Sequence, residues 1–178
     1  RNIESVGTRA FSNLSQFESG ENLKYLGEKA FGDNLRMLKL NCTTPPELQT
    51  SLLGFSEDEA YNILVIVPAN GDDVYTNSDS WAGFHIVEEA PTKTVVMTGN
   101  YSLAEEITTT TQQMPGNVTS LAIVGHLADD DWNIIKRNLI SCYDLDLSRV
   151  TNTEIPAEQF KDNLHLLSFR FPNGTKTI

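Results

Sequence analysis

The sequence has only two cysteines, few basic residues and no long apolar run. Cys42 and Cys142 are far apart, and no cysteine or histidine lies at metal-ligand spacing from them, so we expect two separate buried thiols rather than a disulfide framework or a zinc site. Lysine and arginine total 13 against 24 acidic residues, and the net charge of -11 repels phosphate backbones and anionic lipid. The longest apolar run, ILVIV at residues 63–67, suits a buried strand and is far shorter than the ~20 residues that span a bilayer. We therefore expect no binding to nucleic acid and no membrane insertion by this chain.

Motifs of common enzymes are missing too. There is no G-x-S-x-G nucleophile motif, no phosphate-binding loop and no G-x-G-x-x-G fingerprint. The acidic run Asp129–Asp131 lacks the spacing of a calcium loop and fits the start of a helix, while the adjacent Glu88 and Glu89 would point to opposite sides of a strand. The three histidines stand in no metal or triad motif, and we expect turn or surface positions for His85, His126 and His165. We predict no catalytic residue, no metal site, no cofactor and no enzymatic activity.

A nine-residue phrase that occurs twice is the first positive signal. IESVGTRAF at residues 3–11 aligns with LKYLGEKAF at residues 23–31, so that Gly7 coincides with Gly27. Self-similarity at a fixed period of this size indicates a repeat architecture. The glycine fits a tight turn with positive φ, and the Ala-Phe pair would place a small residue and a large ring in the interior of each coil. Equivalent interior rings are predicted at Phe11, Phe31, Phe55 and Phe160.

Hexamers with apolar residues at their first, fourth and sixth positions repeat further along the chain. VTSLAI, CYDLDL and LLSFRF begin at residues 118, 142 and 166, a step of 24 taken twice. LRMLKL at residues 35–40 has the same form, and LSQFES at residues 14–19 is a weaker copy. The last two apolar residues of each hexamer alternate, so they point to one side of a short strand. Stacked copies would bury a continuous core and pair into a parallel sheet.

These phrases and hexamers resemble the BspA-like leucine-rich repeats of bacterial (Bacteroides-type) cell-surface proteins. Residues 43–89, with a strand ending in VP, a short helix containing a tyrosine, a tryptophan and a final strand, are similar to the closing segment of such an array, and residues 97–148 are similar to the opening of another. The resemblance implies an α/β leucine-rich-repeat solenoid of short parallel strands with turns and short helices. The asparagine that follows the strand in ordinary leucine-rich repeats is missing, because its positions hold Thr43, His126, Val150 and Gly174.

The chain is expected to divide at the segment EEAPTK, residues 88–93, where Pro91 interrupts regular structure. Residues 1–90 are predicted to hold the C-terminal coils and cap of a first array. Residues 91–178 are predicted to hold the starting cap and first coils of a second array. Because the sequence begins and ends within a repeat pattern, we expect it to be a piece of a longer protein.

Two helices are predicted in the second half. Ser102 and Glu105 form an S-x-x-E capping box, which starts a helix at about Leu103. DDDWNIIKRNLI at residues 129–140 has acidic residues at its start, basic residues near its end and apolar residues at helical spacing, which is typical of an amphipathic helix. The polar run TTTTQQ at residues 108–113 is interpreted as a loop. Three aromatic side chains could stack on a sugar or a peptide: Tyr75, Trp81 and Trp132. We nevertheless expect both tryptophans to be buried.

The family resemblance implies a secreted or cell-surface bacterial protein without chemistry of its own. We expect a leucine-rich-repeat module for adhesion or protein–protein recognition, whose partners are extracellular or host proteins or glycans. The alternative is a structural spacer that projects another domain and has no ligand. Repeat solenoids bind through the face that their strands present, and the outward positions of the hexamers give these candidate binding residues: Ser120, Ala122, Asp144, Asp146, Ser168, Arg170, Gln16, Glu18, Met37 and Lys39.

Overall fold

The chain is an α/β protein of two compact units. The computed structural model describes residues 3–161, 163 and 166–177, and the units are Arg1–Glu89 and Ala90–Ile178. Every described pairing between two strands is parallel. Parallel strands need a crossover connection rather than a tight hairpin, so turns and short helices join them. The division between the units falls within the EEAPTK segment.

The first unit contains two parallel sheets. Its strands are β1 (Ser5–Val6), β2 (Gln16–Glu18), β3 (Tyr25–Leu26), β4 (Met37–Lys39), β5 (Glu47–Leu48), β6 (Leu64–Val67) and β7 (His85–Glu88). One sheet has the order β1-β3-β5, and the other has the order β2-β4-β6-β7. The helices are α1 (Glu57–Tyr61) and α2 (Asp72–Thr76), and a 3₁₀ segment covers Ser51–Gly54.

The second unit contains one four-stranded sheet. Its strands are β8 (Lys93–Val96), β9 (Ser120–Gly125), β10 (Asp144–Val150) and β11 (Ser168–Arg170), in the order β11-β10-β9-β8. The helices are α3 (Leu103–Thr111) and α4 (Asp129–Asn138), and a short 3₁₀ segment covers Pro115–Asn117. Because α3 connects β8 to β9 and α4 connects β9 to β10, each helix serves as a crossover between neighbouring parallel strands.

The strand register follows the sequence periods. Asp144 lies opposite both Ser120 and Ser168, so the three strands are aligned with a step of 24 residues. In the first unit, Gln16 lies opposite Met37. The prediction that the hexamers form neighbouring parallel strands is confirmed by these pairings.

Each unit has its own apolar core. In the first unit, Leu38 of β4 lies opposite Val65 of β6, and both side chains are buried with Phe31. In the second unit, the matching inward pair is Leu121 of β9 and Leu145 of β10. The inward residues are the apolar letters that alternate along each strand, as the period-2 pattern requires. Cys42 and Cys142 are buried free thiols, as predicted.

Buried aromatic residues close the first unit. Trp81 is 1% exposed, and its indole N–H donates a hydrogen bond to the carbonyl oxygen of Pro46 at 3.0 Å. The hydroxyl of Tyr75 donates to the carbonyl oxygen of Cys42 at 2.8 Å, and burial raises the pKa of Tyr75 well above its ordinary value. Trp132 of α4 is also buried. The expected burial of both tryptophans is confirmed.

The turn before each phenylalanine contains a left-handed residue, but this residue is not the repeated glycine. Neither Gly7 nor Gly27 has a positive φ, so the prediction of positive φ at these glycines is wrong. Gly27 is required for a different reason, because a Cβ atom there would lie 2.2 Å from the backbone nitrogen of Thr8. The positive φ angles occur two residues before each phenylalanine, at Arg9 (50°), Lys29 (47°), Leu53 (54°) and Glu158 (57°).

The four phenylalanines are buried to different extents. Phe31 is 1% exposed and Phe55 is 8% exposed, as predicted for interior rings. Phe160 is half-buried, and Phe11 is 42% exposed, so the prediction of an interior ring is wrong for Phe11. The ring of Phe11 lies parallel to the ring of Phe31, with 6.3 Å between centroids. Phenylalanines at equivalent positions of the repeated sequence phrase therefore differ in burial.

Helix α3 starts where the sequence predicts but runs further. Ser102 and Glu105 form the expected capping box, and Leu103 is the first helical residue. The threonines predicted to form a loop are instead the last turn of α3, because Ile107 and Thr111 are both buried. The Thr111 hydroxyl donates to the carbonyl oxygen of Ile107 at 2.8 Å, which satisfies this polar group inside the helix.

Helix α4 confirms the predicted amphipathic helix and gives one of its acidic residues a structural task. Asp131 is 4% exposed. Its carboxylate accepts hydrogen bonds from the backbone N–H groups of Leu103 at 2.7 Å and Ala128 at 2.9 Å. Both donors lie at helix starts, where backbone N–H groups lack partners within the helix. Asp131 thus joins the start of α3 to the start of α4.

Two asparagine side chains bond to the backbone of a neighbouring strand connection. The Asn41 side chain donates to the carbonyl oxygen of Ser19 at 2.6 Å. Asn152 donates to the carbonyl oxygen of Leu127 at 2.9 Å and accepts from the N–H of the same residue at 2.8 Å. Each asparagine stands two residues after a strand, β4 or β10, and bonds to the backbone that follows the neighbouring strand. This two-residue offset is the sequence signal that could have identified them.

Candidate functional site

The outward residues of the β11-β10-β9-β8 sheet, in the second unit, form two rows, which we call the strand face. The first row runs across Ser120, Asp144 and Ser168, and the second row runs across Ala122, Asp146 and Arg170. Because residues that are opposite in neighbouring strands lie side by side on one face, the register brings all six predicted residues of this unit together.

Hydrogen bonds link two residues of the first row, Ser120 and Asp144, to each other and to Thr92. The Ser120 hydroxyl donates to the carboxylate of Asp144 at 3.0 Å, and the hydroxyl of Thr92 contacts the Ser120 hydroxyl at 2.8 Å. Ser120 is buried, Asp144 is half-buried, and Ser168 on the edge strand is exposed. The polar groups that a partner can reach in this row therefore lie towards β10 and β11.

An ion pair dominates the second row. The Arg170 guanidinium donates to the carboxylate of Asp146 at 2.8 Å, and the backbone N–H of Ser148 donates to the same carboxylate at 2.8 Å. The hydrogen bonds from Ser148, followed by that from Arg170, lower the pKa of Asp146 to about 2. The same ion pair raises the pKa of Arg170. Asp146 is therefore fully ionised at neutral pH, while Ala122 beside it is buried.

The predicted residues of the first unit lie on two neighbouring strands. Gln16 and Glu18 on β2 are exposed, whereas Met37 on β4 is 8% exposed. Lys39 forms ion pairs with Glu89 at 2.8 Å and with Glu18 at 3.4 Å. The hydrogen bond with Glu89 is the main reason that the pKa of Lys39 is raised. The ion pairs give the β2-β4-β6-β7 sheet a charged outer row. Met37 has little exposed surface for a ligand.

A groove that the sequence did not predict lies beside the carboxyl ends of β9 and β10. It has a volume of about 520 Å³, and its lining includes His126, Asp129, Asn152 and Glu154. His126 is exposed, as predicted. The side chain of Asn152 is occupied by the backbone of Leu127. The groove is open, and its lining combines residues of α4, such as Asp129, with residues that follow the strands, so hexamer periodicity alone could not have indicated it.

His85 does not line that groove. His85 begins the edge strand β7 rather than a turn and is half-buried, and its ring is stacked on the ring of Tyr61 with 5.6 Å between centroids. His165 lies outside the described residues. Across the part of the chain that the structure describes, no three His, Cys, Asp or Glu side chains are grouped so that they could hold a metal ion.

The described helices include none that is both long and apolar enough to cross a membrane.

No protein-family model matches the chain, and no curated protein is significantly similar to it. The geometry of the strand face is therefore the main guide to what the protein does.

Proposed function

We propose that the chain is a recognition module of the leucine-rich-repeat type, from a bacterial cell-surface or secreted protein, and that it binds extracellular or host proteins or glycans without chemistry of its own. Parallel strands that recur at a step of 24 residues support the repeat architecture. The BspA-like phrases and hexamers support the family and, with it, the cell surface as the place of action.

The strand face carries this proposal. Two rows of residues stand side by side on three aligned strands, and the exposed part of the surface is polar. Ser168 is exposed and offers a hydroxyl, and the side chain of Arg170, which carries a guanidinium, is 59% exposed despite its bond to Asp146. Such a mixture of donors and acceptors suits a sugar or a peptide surface, in which hydroxyl and amide groups alternate.

Binding of the 178-residue chain to a panel of extracellular-matrix proteins and glycans tests the proposal. The informative variant is the double charge exchange Asp146→Lys, Arg170→Glu, which can retain an ion pair between the two strands while it reverses the charge pattern. We expect saturable binding by the wild-type chain and at least a tenfold loss of affinity in the double variant.

The matched control exchanges an exposed ion pair of the same unit that lies outside the strand face. The Nζ atom of Lys161 lies 2.9 Å from a carboxylate oxygen of Glu158, and the control variant is Glu158→Lys, Lys161→Glu. Its affinity should equal that of the wild type. If both double variants lose the same affinity, or if neither changes the affinity, the strand face is not the binding surface.

A structural spacer is the second candidate function, and one observation favours it. Ser120 and Ala122 are buried, and the charges of Asp146 and Arg170 are satisfied by each other, so few groups of the strand face are left for a ligand. A spacer predicts no saturable binding to any member of the panel.

A further inference from the structure

Two edge strands of the chain have matching patterns and opposite charges. β2 is an edge of its sheet and reads Gln-Phe-Glu, and β11 is an edge of its own sheet and reads Ser-Phe-Arg. In both strands the central phenylalanine packs partly against the core of its unit. Glu18 and Arg170 hold the same position in the two strands, and their side chains are 60% and 59% exposed. An edge strand of this kind offers its backbone for pairing with another chain.

The charges would alternate if the two edges met. Arg170 is already paired with Asp146 on one side, and Glu18 is already paired with Lys39 on one side. A parallel pairing of β11 with β2 places Arg170 beside Glu18, which extends the row to acid, base, acid, base. Opposite charges in neighbouring strands stabilise a sheet, and they also select this register over its alternatives.

The turns next to these strands have complementary backbone groups. Inside the first unit, the left-handed turn at Arg9 donates to the next such turn along the chain: the N–H groups of Arg9 and Phe11 bond to the carbonyl oxygens of Glu28 and Ala30, at 3.1 and 2.8 Å. The equivalent N–H groups of Glu158 and Phe160 have no acceptor among the described residues. Likewise, the carbonyl oxygens of Thr8 and Ala10 have no donor among the described residues.

We propose that the chain associates head to tail with a second copy of itself. The β11 edge of one copy, with the turn at residues 158–160, stacks on the β2 edge of the next copy, with the turn at residues 8–11. Ser168, Phe169 and Arg170 then lie beside the partner copy's Gln16, Phe17 and Glu18. The exposed ring of Phe11 gains a neighbour in Phe160, as it already has one in Phe31. Because the two surfaces differ, the contact is heterologous rather than the self-complementary contact of a symmetric dimer.

Sedimentation velocity over a concentration series tests this association. The wild-type chain should show a mass that increases with concentration. The variants Glu18→Lys and Arg170→Glu place like charges at the contact, and each alone should weaken association at least tenfold. A mixture of the two variants restores opposite charges at the contact between different copies, so it should associate again. The control Glu47→Lys makes the same charge change on an exposed position of β5 and should behave like the wild type.

Hydrogen exchange gives a second readout that does not depend on the variants. The backbone amides of residues 16–18, 158 and 160 should become more protected as the wild-type concentration rises, whereas those of β6 should not change. A monomeric wild-type chain at every concentration would overturn the proposal. Association that both charge variants retain, or a mixture that stays monomeric while circular dichroism shows both variants folded, would overturn it as well. The Glu18→Lys variant leaves the strand face of the second unit intact, so its ligand binding separates this proposal from the proposed function.

Discussion

Replacing Gly27 with alanine should destabilise the first unit by about 3 kcal/mol or more, at or beyond the upper end for overpacked sites. The added Cβ atom would lie 2.2 Å from the backbone nitrogen of Thr8 and 2.5 Å from the carbonyl carbon of Gly7. These atoms belong to the backbone of the neighbouring coil and cannot move aside as a flexible side chain would. Either the two coils separate locally or the hydrogen bond from the Gly27 N–H to the carbonyl oxygen of Val6 is lost.

Gly7→Ala is the matched control, because Gly7 holds the same position one repeat earlier. No atom lies within 4 Å of a Cβ built there, so stability should change by about 0.5 kcal/mol or less. Urea unfolding followed by the fluorescence of Trp81, in a Trp132→Phe background, reports on the first unit alone, because the chain has two tryptophans. Equal stability of the Gly27 and Gly7 variants would contradict the close stacking of the two coils.

Phe31→Ala should cost about 3 to 5 kcal/mol, since it deletes a fully buried ring and leaves a cavity between coils. The ring is 1% exposed, and it contacts the ring of Phe17 with 4.5 Å between centroids. Its loss removes packing from β2 and from the turn that follows Lys29. The same fluorescence measurement should show a large decrease in the urea midpoint.

Phe11→Ala is the control for the buried ring, because Phe11 is the equivalent residue of the preceding repeat and is 42% exposed. Its cost should stay below about 1 kcal/mol, in line with the smaller area that it buries. Phe160 is half-buried, so its replacement should give an intermediate cost rather than the full effect predicted for an interior ring. Equal effects of Phe31→Ala and Phe11→Ala would contradict the difference in burial described above.

The strands of this protein were predictable because their signal is local and repeats. Alternation along each hexamer identifies which residues face the core, and the common step identifies which strands are neighbours. From these two facts Asp146 and Arg170 are expected side by side, and the structure places them 2.8 Å apart. The capping box at Ser102 is also local, so the start of α3 could be predicted to the residue.

The features that could not be predicted from the sequence depend on contacts between segments that are distant in sequence. A repeated glycine is compatible with positive φ and with close approach, and only the neighbouring backbone at Thr8 distinguishes the two. Phe11 and Phe31 hold the same position in the repeated sequence phrase, yet their rings differ in burial because their neighbours differ. Thr111 is polar by composition, but it becomes the buried end of a helix once Ile107 is anchored in the core.

The candidate site shows the same division between local and non-local information. The outward letters of the hexamers place six residues on one face, which the strand register of the second unit reproduces. Which of them a partner could reach was not predictable, because the burial of Ser120 and Ala122 is set by tertiary packing. The groove near His126 was missed because α4 and the segments after the strands build it together.

The register of the second sheet tests the account most directly, because the strand face and the proposed end-to-end contact both depend on it. Backbone NOE spectroscopy of this 19.8 kDa chain can measure it in solution. We expect cross-strand contacts that align Leu121 with Leu145 and Leu145 with Phe169. Contacts shifted by one residue would turn Asp144 and Asp146 towards the core. That result would contradict both the strand face and the repeat that produces it.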